Sequence, residues 1–295
     1  MYRASYWKSE DEAVRCELCP QLCLIHPDKV GLCLVRKNQD GELLAINYGR
    51  ISSKTLDPIE KKPLYNFHPG SYILSIGSVG CNLGCPFCQN FQIAHPKDFS
   101  LSESPETIVE AATVFLDIAD LVKEAKDTKP YGNIGVAYTY NEPFMSYEYV
   151  FDACKAVKEE GLFNVLVTNG YITPKPLRQL LPLIDAMNID LKGFTDEVYR
   201  QLEGHITPVK RTIMTAAESC HVEVTNLLVP GLNDSPKQIE AMVEWLAEIN
   251  SEIPLHFSRY FPARRYEAAP TPIETLKMAE KIAKSKLKNV YLGNI

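Results

Sequence analysis

The alternation of short apolar runs with helical patterns from Ser71 onward most constrains how this chain can fold. Seven apolar runs end at Gly, Pro or Asn, as buried strands do: YILSIGSV, IGVAYTY, NVLVTNG, AMNIDLK, VEVTNLLVPG, LHFSRYF and NVYLGN. Helical patterns lie between them: PETIVEAATVFLDIADLVKEA, SYEYVFDACKAVKEEG, SPKQIEAMVEWLAEIN and PIETLKMAEKIAKS. Strand–helix repeats of this kind form a parallel sheet with helices outside. The sequence therefore predicts an α/β fold, and seven strands favour a partial (β/α) TIM-like barrel.

The first 70 residues differ from the rest, with four cysteines and little helical periodicity. The stretch CLVRKNQDGELLAINYG predicts a β-hairpin that turns at Asp40 and Gly41. The run LDPIEKKPLYNFHPG that follows predicts an irregular connection. We therefore expect two domains: residues 1–70 form a small N-terminal four-cysteine metal-binding module with its connection, and residues 71–295 form the barrel.

Composition and charge narrow the class of protein. The chain has 295 residues, a net charge of -6 and no block of Lys or Arg, so nothing indicates a nucleic-acid or anionic-membrane partner. No apolar run approaches the ~18 residues that span a bilayer, and the charged N-terminus is unlike a signal peptide. We therefore expect a cytoplasmic protein. Disulfides are rare in that compartment, so the clustering of most of the nine cysteines favours metal binding.

Three cysteines follow the first predicted barrel strand with the spacing Cys81-x3-Cys85-x2-Cys88. Thiolates are soft ligands that suit an iron–sulfur cluster. A four-iron cluster takes four ligands, so three protein thiolates leave one iron open to another molecule. A zinc knuckle is the alternative, but zinc sites normally draw on four protein ligands.

The cysteine spacing, Phe87 just before the third cysteine, and the position after the first barrel strand resemble the radical S-adenosylmethionine (SAM) superfamily. Within it the chain resembles the pyruvate formate-lyase activating enzyme-like group, and in that group the radical enzymes of the AmmeMemoRadiSam system. The similarity covers most of the chain: DPIEKKPLYNFHPG, SIGSVGCNLGCPFCQN, YTYNEP, VTNG, NIDLKG, LLVPGLND, HFSRYFP and VYLGN. Many AmmeMemoRadiSam relatives continue into a tail with a further cysteine pair. Because this sequence stops at YLGNI, we expect a short member or a truncated chain.

The resemblance implies a [4Fe–4S] cluster on Cys81, Cys85 and Cys88, with SAM on the open iron. The reduced cluster passes one electron to the sulfonium, which gives methionine and a 5′-deoxyadenosyl radical that abstracts hydrogen from a substrate. An electron donor such as flavodoxin or ferredoxin is then required. The substrate is either a glycine of a partner glycyl-radical enzyme or another, unknown molecule. A noncatalytic iron–sulfur electron-transfer or metal-binding protein is less favoured, because carriers typically use four cysteines.

Polar residues at the ends of the predicted strands are the candidate SAM contacts. Glu142 follows the second strand, where the resemblance implies a carboxylate facing the SAM ammonium, with Asn141 in support. Helix capping ahead of MSYEYV is the alternative for Glu142. The resemblance implies further cofactor contacts at Phe87, Asn169, Asp190, Lys192, Thr225, Asn226 and Val229. The alternatives are turn chemistry at Asn169, a local ion pair between Asp190 and Lys192, and ordinary strand burial for the last three.

His256 and Arg259 in HFSRYFP are candidate substrate-binding residues, which we expect at the end of a late strand. An arginine there can bind a carboxylate through two parallel hydrogen bonds. A salt bridge at the barrel rim is the alternative.

The N-terminal cysteines have the spacing Cys16-x2-Cys19-x3-Cys23-x9-Cys33, which can close a tetrahedral metal site. We expect a structural zinc, because four thiolates leave no ligand position for a substrate and a short module needs metal to fold. An auxiliary iron–sulfur cluster uses the same soft ligands and is the alternative. To relay electrons, such a cluster has to lie close to the Cys81 loop.

Overall fold

The computed structural model describes residues 2–100, 102 and 104–295, apart from the side chain of Phe99. The N-terminal strands are β1 (Tyr2–Arg3), β2 (Trp7–Glu10), β3 (Ala13–Cys16), β4 (Leu24–Ile25), β5 (Arg36–Gln39), β6 (Glu42–Ala45) and β7 (Arg50–Ile51). They include two antiparallel sheets, β2-β3-β4 and β1-β6-β5. The predicted hairpin is confirmed as β5–β6, with Asp40 (φ 53°) and Gly41 (φ 79°) in the left-handed conformation that a two-residue turn needs.

A mostly parallel sheet of eight strands forms the centre of the molecule. The remaining strands are β8 (Ser53–Pro58), β9 (Tyr72–Gly77), β10 (Val114–Phe115), β11 (Asn133–Tyr138), β12 (Phe163–Thr168), β13 (Ala186–Asp190), β14 (His221–Leu228), β15 (Leu255–Arg259) and β16 (Val290–Gly293). The order across the central sheet is β16-β15-β14-β13-β12-β11-β9-β8. All seven strands expected from the apolar runs belong to it, so the predicted α/β fold is confirmed. The polar strand β8 (SKTLDP) was not predicted, and it pairs antiparallel with β9 at one edge.

The helices connect the strands of this sheet. They are α1 (Phe91–Ala94), α2 (Pro105–Ala111), α3 (Ile118–Asp127), α4 (Tyr147–Glu159), α5 (Pro174–Leu180), α6 (Asp196–Gln201), α7 (Ile206–Ala217), α8 (Pro236–Asn250) and α9 (Ile273–Lys284). The helices predicted after residue 140 are confirmed as α4, α8 and α9, whereas α5, α6 and α7 were not predicted. In the part of the chain that the structure describes, no helix combines the length and the apolar character needed to cross a membrane.

The single helix predicted over residues 105–125 is wrong in its extent. The structure divides this pattern into α2, β10 and α3. Val114 pairs with Ile51 and Phe115 with Arg50, so β10 joins β7 in a short antiparallel ladder. The Asp117 side chain then begins α3 by accepting a hydrogen bond from the backbone N–H of Ala119 at 2.8 Å. Strand pairing over a long sequence separation therefore overrides the local helical pattern.

The segment between β8 and β9 packs against buried side chains of the central sheet. The buried carboxylate of Glu223 in β14 accepts hydrogen bonds from the backbone N–H groups of Tyr65 (3.1 Å) and Asn66 (2.7 Å). The Asn188 side chain in β13 donates to the carbonyl oxygen of Pro63 at 2.8 Å. Buried residues on both sides of residue 70 belong to one continuous core, so the expected domain boundary stays a prediction.

A buried ion pair joins the N-terminal sheets to the central fold. Arg36 Nη1 lies 2.7 Å from Glu148 Oε2, and both side chains are almost fully buried. Arg36 also donates to the carbonyl oxygen of Met145 at 3.2 Å, and Glu148 accepts from the backbone N–H of Ser5 at 2.7 Å. Since Arg36 lies on β5 and Glu148 on α4, these bonds fix the N-terminal segment against the helical layer.

Replacing Glu148 with Gln should lower the free energy of unfolding by about 3–5 kcal/mol, because the Arg36 charge then stays buried without its partner. Glu197→Gln is the matched control: it breaks an exposed pair with Arg200 at 3.4 Å and should change stability by less than about 1 kcal/mol. Urea titration of both variants measures the difference. Equal changes in the free energy of unfolding would show that the contact between the N-terminal segment and α4 does not depend on this ion pair.

Candidate functional site

The carboxyl ends of the parallel strands surround one cavity of about 320 Å³, a volume typical of a small-molecule site. It is lined by Lys61, Lys62, Cys81, Cys85, Phe87, Cys88, Gln89, Asn90, Ala94, Thr139, Tyr140, Asn141, Glu142, Val167, Thr168, Asn169, Asp190, Lys192 and Leu227. The structure therefore brings the three-cysteine loop together with most of the predicted cofactor contacts.

The three-cysteine loop follows β9 directly and is held from two sides. Gly80 has a φ of 94°, and a Cβ atom there would lie 2.6 Å from the carbonyl oxygen of Cys33. Only glycine permits this close approach between the loop and the N-terminal segment. On the other side, Arg264 Nη1 donates to the carbonyl oxygen of Cys85 at 2.8 Å.

Burial controls the protonation of the three thiols. It raises the pKa of Cys85 to about 12, and it also raises the pKa values of Cys81 and Cys88. The thiols are therefore neutral at neutral pH, and a bound metal has to displace their protons. Within residues 2–100, 102 and 104–295, no three His, Cys, Asp or Glu side chains are already grouped to hold a metal ion, so the thiols of either cysteine set would have to move closer together to bind one.

Glu142 is a buried carboxylate in the wall of the cavity. Its Oε1 accepts from Thr168 Oγ1 (2.7 Å) and from the backbone N–H of Phe144 (3.1 Å), and its Oε2 accepts from the backbone N–H of Asn169 (2.8 Å). Burial raises the pKa of Glu142 to about 7, although these three bonds act to lower it. The bond to Phe144 caps the short 3-10 helix Pro143–Ser146, so the capping interaction is also present. Among the ion pairs of the described residues, none involves Glu142, which leaves its charge available to an incoming ammonium.

Asn169 links Glu142 to the cysteine loop. Its side-chain Nδ2 donates to Asn82 Oδ1 at 2.9 Å and lies 3.7 Å from Cys81 Sγ. Its Oδ1 accepts from the backbone N–H of Tyr171 at 2.8 Å, which is the turn chemistry considered above. The same residue thus forms the turn after β12 and contacts a thiol of the loop.

Asp190 and Lys192 form an ion pair at the end of β13, with Nζ and Oδ2 2.9 Å apart. Burial lowers the pKa of Lys192, but Asp190 and Cys85 outweigh it and the net pKa is raised. Lys192 is therefore a cation, and its charge is balanced inside the cavity wall. Asn141, also in the wall, fastens the end of β11 to the loop: its Oδ1 accepts from Ser78 N (2.8 Å) and its Nδ2 donates to the Gly80 carbonyl (3.0 Å).

Three predicted cofactor contacts do not line the cavity. Thr225, Asn226 and Val229 are buried in or just after β14, whereas Leu227 of the same strand does line it. Thr225 is paired with Asp190, which lines the cavity. The residue of β14 that lines the cavity is instead Leu227, two positions closer to the carboxyl end. This offset is the stagger that tilted neighbouring strands produce.

His256 and Arg259 also lie outside this lining. His256 is the second residue of β15 rather than the end of the strand, and its Nε2 lies 2.5 Å from Glu223 Oε2. Arg259 is the last residue of β15; its Nε donates to the carbonyl oxygen of Thr271 at 2.9 Å, and its guanidinium lies 5.1 Å from the Phe261 ring centroid. Both side chains therefore have partners that fix them away from the cysteine loop.

The four N-terminal cysteines, Cys16, Cys19, Cys23 and Cys33, line a second cavity whose water-accessible volume is only about 10 Å³. Asn82 of the three-cysteine loop and Arg36 also line it. Arg36 Nε is buried, and no hydrogen-bond partner for it lies among the described residues. Cys33 and Cys81 both line a third, wider cavity. The two cysteine sets are therefore neighbours in the fold, although the sequence separates them.

Sequence reasoning assigned no role to several residues of the first cavity, notably Lys61, Lys62, Tyr140 and Leu227. The two lysines lie in DPIEKKPLYNFHPG, a motif that carries the family resemblance but whose pattern predicts only an irregular connection. Tyr140 has a φ of 70°, a conformation uncommon for a residue with a side chain. A tyrosine gives no indication of positive φ in the sequence, unlike glycine or asparagine, so only the structure shows this conformation.

Comparisons with known proteins agree with this geometry. The sequence profile for the "Radical SAM superfamily" matches residues 75–246. An uncharacterized protein of Methanocaldococcus jannaschii is 40% identical over 297 residues, covering 98% of this chain and 84% of that protein. The pyruvate formate-lyase-activating enzyme of Clostridium pasteurianum is 25% identical over 177 residues, covering 58% of this chain and 68% of that enzyme.

Among solved structures, Streptococcus suis SuiB bound to S-adenosylmethionine aligns with a TM-score of 0.57. The two chains are 14% identical, and the alignment covers 81% of this chain and 54% of SuiB. At that identity the likeness shows a common fold alone. The profile match and the two sequence relatives establish more: this chain belongs to the radical SAM superfamily and is an enzyme of that superfamily.

Proposed function

We propose that this enzyme cleaves SAM reductively at a [4Fe–4S] cluster held by Cys81, Cys85 and Cys88, and that the resulting radical abstracts hydrogen from a substrate. The observation that carries the proposal is a single cavity that contains three thiols and the buried carboxylate of Glu142. Thiolates suit an iron–sulfur cluster, and a carboxylate suits the ammonium of SAM.

The donor set of the loop fits such a cluster. Three soft ligands on one short loop face a cavity large enough for a small molecule, which leaves room for SAM beside the open iron. When bound, the cluster supplies one electron to the sulfonium, whose carbon–sulfur bond breaks to give methionine and a 5′-deoxyadenosyl radical. Glu142 holds the ammonium, and the backbone N–H of Asn169 orients the carboxylate. Val167 and Leu227 add apolar surface that excludes water from the reacting atoms.

The first candidate substrate in this proposal is a glycine of a partner glycyl-radical enzyme. The similarity to the pyruvate formate-lyase-activating enzyme of Clostridium pasteurianum supports this candidate. A different substrate is the second candidate, because the relative that is 40% identical has no assigned activity. Either reaction draws electrons from a donor such as flavodoxin or ferredoxin. A noncatalytic electron carrier is disfavoured, since it has no use for a carboxylate poised for an ammonium.

Replacing any one of Cys81, Cys85 or Cys88 with Ala should abolish 5′-deoxyadenosine formation, because two thiolates hold the cluster poorly. The measurement is anaerobic reconstitution with iron and sulfide, followed by a reductant and SAM. Cys220→Ala is the control, since this cysteine lies outside both clusters of cysteines and should keep full activity. A triad variant that retains its iron, its visible absorbance and its activity would refute the ligand assignment.

Replacing Glu142 with Gln should weaken SAM binding about tenfold to a hundredfold at pH 8 and leave the cluster in place, because one charge-assisted hydrogen bond is lost. The pKa of Glu142 is about 7, so its carboxylate is ionised above that pH and protonated below it. Wild-type affinity should therefore fall by up to about tenfold per pH unit below 7, whereas the variant should lack this slope. Equilibrium dialysis from pH 5.5 to 8 tests both points; equal affinities at pH 8 would leave Glu142 as a helix cap only.

For the N-terminal cysteines we propose one structural zinc. The small volume of their cavity supports a single ion over a four-iron cluster, and the unpartnered Nε of Arg36 supports a thiolate acceptor in it. The neighbouring Cys81 loop supports the alternative of an auxiliary cluster, because electron relay requires this proximity. The two observations favour different metals, so the metal content decides between them.

Metal analysis of anaerobically purified protein should give about four irons and one zinc per chain. In Cys19→Ser the zinc should be lost while the irons remain, because only the N-terminal site is altered. About eight irons with no zinc would establish the auxiliary cluster instead.

A further inference from the structure

Two lysines reach the SAM cavity from the opposite end of the sheet to the cysteine loop. Because β8 is antiparallel to β9, Pro58 lies beside Tyr72, at the amino end of β9, while the cysteine loop leaves its carboxyl end. Lys61 and Lys62 follow β8 within a few residues, and both line the cavity that contains the three cysteines. The cavity is therefore bounded by the cluster loop from one end and by a pair of ammonium groups from the other.

Asp57 is the carboxylate that balances these lysines. It accepts hydrogen bonds from Lys62 Nζ (2.8 Å), Lys61 Nζ (3.3 Å) and the Tyr140 hydroxyl (2.6 Å). Burial acts to raise the pKa of Asp57, but these bonds lower it to about 2, so the carboxylate stays ionised. One negative charge thus faces two positive ones, and this part of the cavity has an excess of one positive charge.

The donors of the lysines are not used up. Each ammonium has three N–H donors, and Asp57 is the one hydrogen-bond acceptor for Lys62 within the described part of the chain. Lys62 Nζ also lies 4.6 Å from the ring centroid of Tyr140, although its side chain is 2% exposed. A buried cation with free donors in a cavity is suited to an anion.

Tyr140 is held in place at a conformational cost. Its φ of 70° lies in the left-handed region, and the side chain of Asn90 fixes its carbonyl oxygen with a 2.7 Å hydrogen bond. This conformation directs the phenol toward Asp57 and the ring under Lys62. Strain of this kind persists where the surroundings enforce it, and it clusters at ligand sites.

We propose that Lys61 and Lys62 bind an anionic group, a carboxylate or a phosphate, of the substrate from which hydrogen is abstracted. The inference rests on the proposed function, because it takes the cavity to be the site where SAM is cleaved. Lys192 is not a competing site for this anion, since Asp190 already neutralises it. The inference therefore selects the second candidate substrate of the proposed function, a molecule other than a partner's glycine, because the backbone of a peptide loop has no charge to offer.

Calorimetric titration of the anaerobic, cluster-loaded enzyme with SAM bound tests the proposal. Inorganic phosphate and malonate are the two probes, and whichever binds more tightly identifies the anionic group. Lys62→Gln should weaken binding of that probe about tenfold to a hundredfold, because one charge-assisted contact is lost. Lys61→Gln, at a side chain that is 68% exposed, should weaken it less and keeps the test available if the buried variant fails to fold.

Lys54→Gln is the matched control, because Lys54 lies on the same strand as Asp57 but pairs with Glu124 outside the cavity. It should bind the probe as the wild type does. The proposal is overturned if neither probe binds, if both cavity variants bind as well as Lys54→Gln, or if the probe displaces SAM. Formation of 5′-deoxyadenosine by the wild type is measured in parallel, so failure of the proposed function is distinguished from failure of the anion site alone.

Discussion

Two buried asparagines hold the parts of this site in register. The backbone N–H of Asn169 donates to the Glu142 carboxylate (2.8 Å), and its side chain donates to Asn82 in the cysteine loop (2.9 Å). Asn82 in turn donates to the carbonyl oxygen of Tyr171 (2.6 Å) and accepts from Gln21 of the N-terminal segment (2.9 Å). Each buried group in such a chain that loses its partner costs about 1–3 kcal/mol. The carboxylate, the cluster loop and the N-terminal cysteines therefore keep fixed positions relative to one another.

The N-terminal segment is packed against the central fold at two places. Gly80 lets the loop touch the Cys33 carbonyl, and the Arg36–Glu148 pair anchors β5 to α4 from the other side. The cysteines in the first 33 positions are thus packed directly against the loop at residue 81.

The sequence was sufficient for features that depend on local pattern. Apolar runs located the seven parallel strands, because such strands are buried on both faces, and the cysteine spacing identified the loop. Features that depend on tertiary geometry were beyond it. Leu227 rather than Thr225 lines the cavity because the strands are tilted, so residues paired across two strands do not reach the same height in the cavity. Strand β8 was not predicted because an edge strand can be polar. His256 shares a motif with Arg259, yet its side chain is bound to the buried Glu223 and does not line the cavity.

The lysines and Asp57 lie before residue 75, outside the stretch that the superfamily profile matches. Residues 75–246 contain the cysteine triad, Glu142, Asn169 and the Asp190–Lys192 pair, so that stretch carries the cofactor contacts proposed above. If substrate recognition resides in the preceding strand and its turn, the two tasks are encoded in separable parts of the chain. Mutations in β8 and its turn can then redirect the enzyme to a new molecule without passing through a form that has lost its radical chemistry. The fold would in that way allow new specificities to evolve by changes at one edge of the sheet.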